Sequence, residues 1–512
     1  MIKYWKKILF AVGMALYLSG IFVNVVADPD LWGYLAFGRL FWETLQFPYH
    51  DVFSYIPTNT LWVYHEWLTG VILYPVYTWL GGTGLQILRY VIIFITIGLV
   101  FLTAQKRGGK LTASAIILFL AVNALTYGYS PVRAQVFTYL FFAALLYILE
   151  QCRKEQKFIL LWWLLPVYLI WCNVHGGFVA GMGITVLYAI GEGLSKRQFL
   201  PYILILMASL ITTLINPYGI DYWLYTAAAV SMPRPDIIEW LSLPAAMKAG
   251  KFIEFGSLFI FFFAIFILLV IRHRNRSLTD ILVLTVTALL GFMHIRHSIF
   301  FFLAFGAYTP SILSDIFKTS ETKESKGYSR LLVRYSLVFA TLCFVLLAIF
   351  SFMKFILTPS LNLAIPSSYY PVGAIQWINN NQWRGNILPH FDWGEFIMWN
   401  CHPGCRVAMD GRFETVYRKT DYEEYFDFLH GRRDWNRFLE RYPHDMVLIR
   451  LNTKTDALMR RHPGWQLTYE DAACSLFLKK KDDRLKYCVS IRKDYINNAV
   501  NAFYFVKKGL MI

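Results

Sequence analysis

The sequence predicts a polytopic α-helical membrane protein carrying a compact α/β or α+β domain after its last span. Composition is the first reason: of 512 residues 57% are hydrophobic and only 16% charged, where a soluble domain has roughly 25% charged residues. Pattern is the second. Apolar runs such as 255–271 and 335–352 continue without the alternation of a membrane β-strand, and about 20 residues of helix cross a hydrocarbon core roughly 30 Å thick. The third is a change of character near residue 358, where apolar pieces shorten and turn signals separate them.

The first span is 8–26, preceded by Lys3, Lys6 and Lys7. No small-x-small cleavage site precedes Asp28-Pro29-Asp30, so it reads as an uncleaved anchor rather than a signal peptide. Further spans fall at 85–102, 111–125, 136–149, 158–171, 178–191, 200–215, 255–271, 281–293, 298–313 and 335–352, about eleven in all. The net charge of +16 would suggest nucleic acid in a soluble protein. Here the bases alternate loop by loop, so the expected partner is the lipid bilayer and not nucleic acid. With the N-terminus inside, the cytoplasmic loops hold Lys106/Arg107/Lys110, Arg153/Lys154/Lys157, Lys196/Arg197, Arg272/Arg274/Arg276 and Lys318/Lys323/Lys326/Arg330. The short outer loops carry at most one base each, such as Arg133 or Arg296. Segment 67–80, apolar but short and broken by Pro75, reads as re-entrant or interfacial; counting it as a span would invert every later loop.

The expected organisation is therefore a transmembrane domain over 1–357 with a large outer loop at 28–66, an extracytoplasmic domain over 358–478, and a basic amphipathic tail over 479–512. The expected location is the inner (cytoplasmic) membrane of a cell envelope. In the outer domain, pieces such as 395–399 and 446–451 alternate with turns, and 422–440 reads as polar helix. Cys401 and Cys405 close a loop short enough for a disulfide if the compartment is oxidising. A metal site on His402 is disfavoured because no second ligand pair at zinc spacing follows.

Candidate chemistry concentrates in loop 28–66. Asp28 and Asp30 stand at the end of the first span, where carboxylates are costly to desolvate, although Asp-Pro also serves simply to stop a helix. Asp51, His65 and Glu66 follow. Arg133, His175, Arg296 and His297 lie at outer ends of spans; their alternatives are snorkelling to the headgroups, shaping the entry at Gly176-Gly177, or touching outer-leaflet lipid. Glu239-Trp240 suits acceptor contact or loop packing equally. Asn216-Pro217-Tyr218-Gly219 reads as a helix stop, and Asp392, Asp410 and Arg412 as turn residues. No Walker-type Gly-rich Lys-Ser/Thr loop occurs, which argues against a nucleotide-driven pump.

The strings DPDLWGYLAFGRLFWE, FPYHDVFSY and WVYHEWL, followed by SPVRAQVFTYLF, NVHGGF, INPYG, IIEW, HIRHSIFF, DWGEFIMW and VAMDGRFETVY, resemble a bacterial family of multispanning proteins grouped with the GT-C membrane glycosyltransferases. The resemblance covers nearly the whole chain. It implies transfer of a sugar from a polyprenyl-phosphate donor to a glycan, lipid or protein acceptor at the outer face. Such chemistry needs a carboxylate to take the acceptor's proton or to hold a divalent cation, and cations for the departing phosphate. Asp30 is the leading candidate for the carboxylate, with Asp51 and Glu66 as alternates. Asp28, His65, Arg133, His175, Glu239, Arg296 and His297 are the candidates for substrate binding. The competing class is a non-catalytic, transporter-like or scaffold component of polysaccharide assembly. Transporters show internal repeats and ionisable groups near the midplane; no repeat is found here, and the ionisable candidates gather at one membrane edge.

Overall fold

The computed structural model describes residues 2–129, 132–234, 236–272, 277–321, 327–432 and 434–480. Beyond Lys479 and Lys480 the basic tail lies outside the described residues, as do Arg274, Arg276, Lys323, Lys326 and Cys488. Packing divides the chain into two units. The first is Met1–Asp51, Asn59–Ile365 and Glu414–Val416, the second Val52–Thr58, Pro366–Phe413 and Tyr417–Ile512.

The first unit is helical. Among the described residues five helices are long and apolar enough to cross a membrane: Trp67–Lys106, Leu111–Tyr129, Gln135–Glu155, Ile253–Arg272 and Ile295–Ile316. Six shorter apolar helices join them at Ile8–Ile21, Phe158–Val174, Phe178–Leu194, Leu200–Thr212, Leu278–Met293 and Leu342–Leu357. Each falls on one of the spans read from the sequence. Segment 67–80 is helical too and runs into the next span through Gly81, whose φ of 62° breaks the helix there. That conformation is open to glycine without steric cost.

Close approaches of small residues set the helix spacing. A Cβ on Gly20 would lie 1.6 Å from the Ser351 carbonyl oxygen, so the helix Ile2–Ile21 meets the helix Gly327–Leu357 backbone to backbone. The helix Pro29–Thr44 crosses the start of Trp67–Lys106 in the same way. A Cβ on Gly38 would come within 2.3 Å of the Gly70 carbonyl oxygen, and one on Gly70 within 2.7 Å of Tyr34's. That crossing holds Tyr34 beside Glu66.

The second unit carries a five-stranded sheet in the order β2-β1-β3-β5-β4. The strands are β1 (Gly385–Pro389), β2 (Cys405–Val407), β3 (Met446–Arg450), β4 (Trp465–Glu470) and β5 (Cys474–Lys479). The first three are parallel, while β5 runs antiparallel to β3 and β4. Helices connect the parallel strands, as parallel crossovers require, so the domain is α/β with an antiparallel extension. Central β3 is buried at four of its five positions, the continuous apolar pattern of a strand covered on both faces. Residues 52–58, from the first outer loop, add a short edge: Ser54 bridges Val407 in parallel and Thr58 bridges Tyr417. The short apolar piece 395–399 lies in the helix Gly394–Cys401, and one local expectation is corrected. The polar helix expected over 422–440 is two, Lys419–Leu429 and Asn436–Arg441, parted at Gly431, whose φ is 58°.

Candidate active site

The Asp-Pro pair does not stop the first helix, which ends at Ile21. It starts the next one. Asp28 caps the helix Pro29–Thr44, its carboxylate accepting the Asp30 amide at 3.1 Å. Pro29 at the first helical position gives up an N–H that would have had no partner there. The positive end of the helix favours both aspartates.

Three turns bring charge together at this point. Arg133, two residues before the helix Gln135–Glu155, lies 3.3 Å from Asp28 through Nε and pairs with Asp30 through Nη2. Its Nη1 lies 3.6 Å from Glu239, on the 3-10 turn Ile238–Trp240. Burial pushes Asp28 up to about 7, against the pull of Arg133. It raises Asp30 as well. On Arg133 burial acts the other way, but the three carboxylates outweigh it and hold the guanidinium firmly charged. On Glu239 burial is outweighed by Arg133 and Arg296, which lower its pKa.

A second layer centres on Glu66. Its Oε2 accepts the Tyr34 hydroxyl at 2.9 Å, while Oε1 faces His175 Nε2 at 3.4 Å and His65 Nε2 at 3.8 Å. Burial lifts Glu66 to about 7, with Asp30 adding to the rise. Burial lowers His65 to about 4 and His175 well below its ordinary range, so both rings are neutral. Thr138, one turn into the helix that follows Arg133, holds His175 Nδ1 at 2.8 Å.

A third layer is built on Trp240. The Arg234 guanidinium lies 4.0 Å from the indole centroid and that of Arg296 4.5 Å. The His297 and His294 rings pack edgewise at 5.7 and 5.4 Å. Arg234 is 2% exposed and committed to both oxygens of Glu414. Arg296 has no hydrogen bond or ion pair among the described residues.

The structure thus joins Asp28, Asp30, Arg133 and Glu239, sets His65, Glu66 and His175 in one contact layer, and brings Arg296 and His297 to one indole. Asp51 is half-buried next to the unit boundary and is not among the charges acting most strongly on Asp28, Asp30 or Glu66. Among the described residues no three His, Cys, Asp or Glu side chains are disposed to hold a metal ion; Asp28, Asp30 and Glu239 are arranged around a guanidinium instead. Sequence reading missed Tyr34, Thr138, Arg234 and Glu414, whose partners lie 32 to 180 residues away. Cys401 and Cys405, in the second unit, are buried free thiols, and Cys405 donates to the Trp383 carbonyl at 3.6 Å.

A second ionic cluster corrects the expectation that ionisable groups gather at one edge. Arg107 and Arg153, expected in loops, are buried with Glu150, Glu192 and Asp280. Arg107 pairs with Glu150 at 2.6 Å and with Asp280; Arg153 reaches Glu192 at 2.8 Å, Asp280 at 3.0 Å and Glu150 at 3.2 Å. It sits at the opposite end of Gln135–Glu155 from Arg133, a helix about 30 Å long at 1.5 Å per residue.

Neither a protein-family model nor a curated protein sequence matches this chain. Solved structures do. The Archaeoglobus fulgidus oligosaccharyltransferase, crystallised tethered by a disulfide to an acceptor peptide containing the NVT sequon, superposes with a TM-score of 0.57 at 12% identity, over 88% of this chain and 69% of its own. ArnT from Cupriavidus metallidurans bound to undecaprenyl phosphate gives a TM-score of 0.50 at 10% identity, over 93% of this chain and 98% of its own. In the apo state ArnT gives 0.54 at 11% identity. The chain shares the fold of these solved structures.

Proposed function

We propose that this chain transfers a sugar from a polyprenyl-phosphate donor to a hydroxyl or amide of a glycan, lipid or protein acceptor at the extracytoplasmic face. The observation that carries the reading is a division of labour among the charges. Arg296 is a guanidinium with no carboxylate of its own, in a site where Arg133 and Arg234 are both paired with carboxylates; a departing lipid phosphate suits it. Asp30 is 32% exposed on its side chain and spends one oxygen on Arg133, leaving Oδ1 without a partner among the described residues. Glu66, 15% exposed, has both oxygens engaged. Asp30 is therefore the better placed proton acceptor, oriented by Arg133, and its raised pKa brings it nearer the value a base needs at neutral pH.

In the step, an acceptor oxygen or nitrogen forms a bond to the anomeric carbon as the bond from that carbon to the phosphate oxygen breaks. The electron pair leaves on the polyprenyl phosphate, whose charge Arg296 meets. The acceptor's proton passes to Asp30. The likeness to ArnT with undecaprenyl phosphate bound and to an oligosaccharyltransferase with an acceptor peptide supports this choice of donor and acceptor classes.

Asp30→Asn tests the reading, because it keeps the shape and removes the basicity. Transfer should fall by about 10²–10⁴ while binding of undecaprenyl phosphate stays within about threefold of wild type. Arg296→Ala should weaken both. An Asp30→Asn, Asp51→Asn, Glu66→Gln triple variant that still restores surface glycan to a deletion strain would overturn it in favour of a non-catalytic component.

A further inference from the structure

We propose that Trp240 is a positioning residue that holds the Arg296 guanidinium in place for the lipid phosphate, with Arg234 and Glu414 fixing the indole in turn; this rests on the donor reading above. An arginine on a flexible side chain loses much of its worth to a phosphate unless something other than a competing anion restrains it. Here the restraint is an aromatic face. Arg296 lies 4.5 Å from the Trp240 centroid and makes no hydrogen bond or ion pair among the described residues, so all its N–H donors remain for a ligand. A carboxylate restraint would have used those donors and cancelled the charge.

The indole is fixed from several directions. Arg234, 4.0 Å from its centroid, cannot serve as a second phosphate ligand. Its Nε and Nη2 go to Glu414, Nη2 also to the Ala229 carbonyl at 2.8 Å and Nη1 to the Met232 carbonyl at 2.9 Å. The turn bearing Trp240 is tied to the turn bearing Arg296 by the Ile295 amide on the Leu241 carbonyl at 3.2 Å. His294 Nδ1 stands 2.7 Å from the Trp240 carbonyl oxygen. The same turn thus places both cations of the site: Glu239 meets Arg133 and Trp240 meets Arg296. The Glu414 carboxylate is taken up by Arg234.

The experiment is equilibrium binding of undecaprenyl phosphate to the full-length chain in detergent. It compares wild type, Trp240→Leu, Trp240→Tyr, Arg296→Ala and the Trp240→Leu/Arg296→Ala pair, each checked for an unchanged melting temperature. A half-buried cation–π contact such as this one corresponds to about tenfold in affinity. Trp240→Leu should weaken binding by about that factor, and Trp240→Tyr should stay within about threefold because the π face returns. The pair should be no weaker than Arg296→Ala alone, since the indole then has nothing to hold. If Trp240→Leu does not fold, Trp240→Met takes its place, with the same roughly tenfold weakening expected because it too lacks a π face. Binding at the wild-type level by Trp240→Leu, or by Trp240→Met in its place, while Arg296→Ala binds weakly, would overturn the positioning role alone. So would additive losses in the pair. Wild-type binding by Arg296→Ala would overturn the donor reading instead.

Discussion

Nε2 of His175 stands 3.4 Å from Oε1 of Glu66, while the ring's Nδ1 accepts the Gly177 amide at 2.9 Å. A backbone amide can only donate, so the proton of the neutral ring belongs on Nε2, toward the carboxylate. Glu66 is therefore surrounded by neutral donors and has no arginine or lysine in contact among the described residues. Burial then dominates its titration.

The pH dependence follows with a definite sign. An unfolded glutamate titrates near 4.3, and Glu66 in the folded chain near 7. Between those values the folded state binds more protons, so this contribution to stability is fully present below about pH 4 and lost as pH rises through about 7. Glu66→Gln removes the titration. Its melting temperature should exceed that of wild type at pH 8 and approach it near pH 4.5. Equal shifts at both pH values would contradict the assignment.

Arg133 carries a different expectation, because three carboxylates depend on it. Arg133→Met leaves Asp28, Asp30 and Glu239 facing one another. Transfer should drop by at least about a hundredfold, the scale of losing one electrostatic contact in an active site. The loss in melting temperature should be larger at pH 8 than at pH 5.5, since protonation relieves the repulsion. Adding Asp28→Asn should recover part of the stability and none of the activity. A pH-independent loss would count against a shared ionic centre.

Much of this was legible in the sequence, for a physical reason. Long apolar runs permit few structures in a bilayer, so the spans were readable one by one. Carboxylates at 28, 30 and 66 stood out because burial there is costly. What could not be read is which partner each charge meets. Asp28-Pro29 fits a helix stop or a helix start equally well, and the packing around Arg133 decides for the start. Arg107 and Arg153 satisfy the loop-charge pattern while lying inside a network with Glu150, a choice made by tertiary contacts to Glu192 and Asp280. The Arg234–Glu414 pair spans 180 residues and has no local signature.

That inner network gives a stability prediction separate from the chemistry. Glu150 is fully buried and accepts the Tyr188 hydroxyl at 2.6 Å as well as its two arginines. Arg153→Met leaves buried Glu150 and Asp280 to Arg107 alone and Glu192 to the exposed Arg197 at 3.7 Å, and breaking such a network costs about 3–5 kcal/mol. Thermal unfolding in detergent should show the loss, and Glu192→Gln in the same chain should reduce it. Undecaprenyl phosphate affinity in the folded fraction should not change. A variant as stable as wild type would mean the pairing contributes nothing.

Cys401 and Cys405 are both buried free thiols four residues apart. Protein from an oxidising compartment should carry them as a disulfide. Mass mapping without reduction would detect the linked peptide, and finding both as free thiols would exclude it. Because the bond closes only a short loop, its loss should cost little of the domain's stability.

The last prediction concerns topology and rests on chain connectivity. Ser54, in the first outer loop, bridges Val407 of β2, so that loop and the sheet must share one side of the membrane. The chain between residues 59 and 366 must therefore cross an even number of times. Ten apolar helices after the first satisfy this; an eleventh crossing by 67–80 would not, which is why that segment is expected along the interface, turning into the next span at Gly81. The loop charges put Gln156 inside. Single cysteines at Gln156, Gln46 and Asp434, treated in intact cells with a membrane-impermeant maleimide, should label at Gln46 and Asp434 and stay unlabelled at Gln156 until the membrane is opened. Labelling of Gln46 and Asp434 from opposite sides would break the parity argument. Labelling of Gln156 from outside would invert the orientation and move the Asp30 site to the cytoplasmic face, away from the acceptors proposed for it.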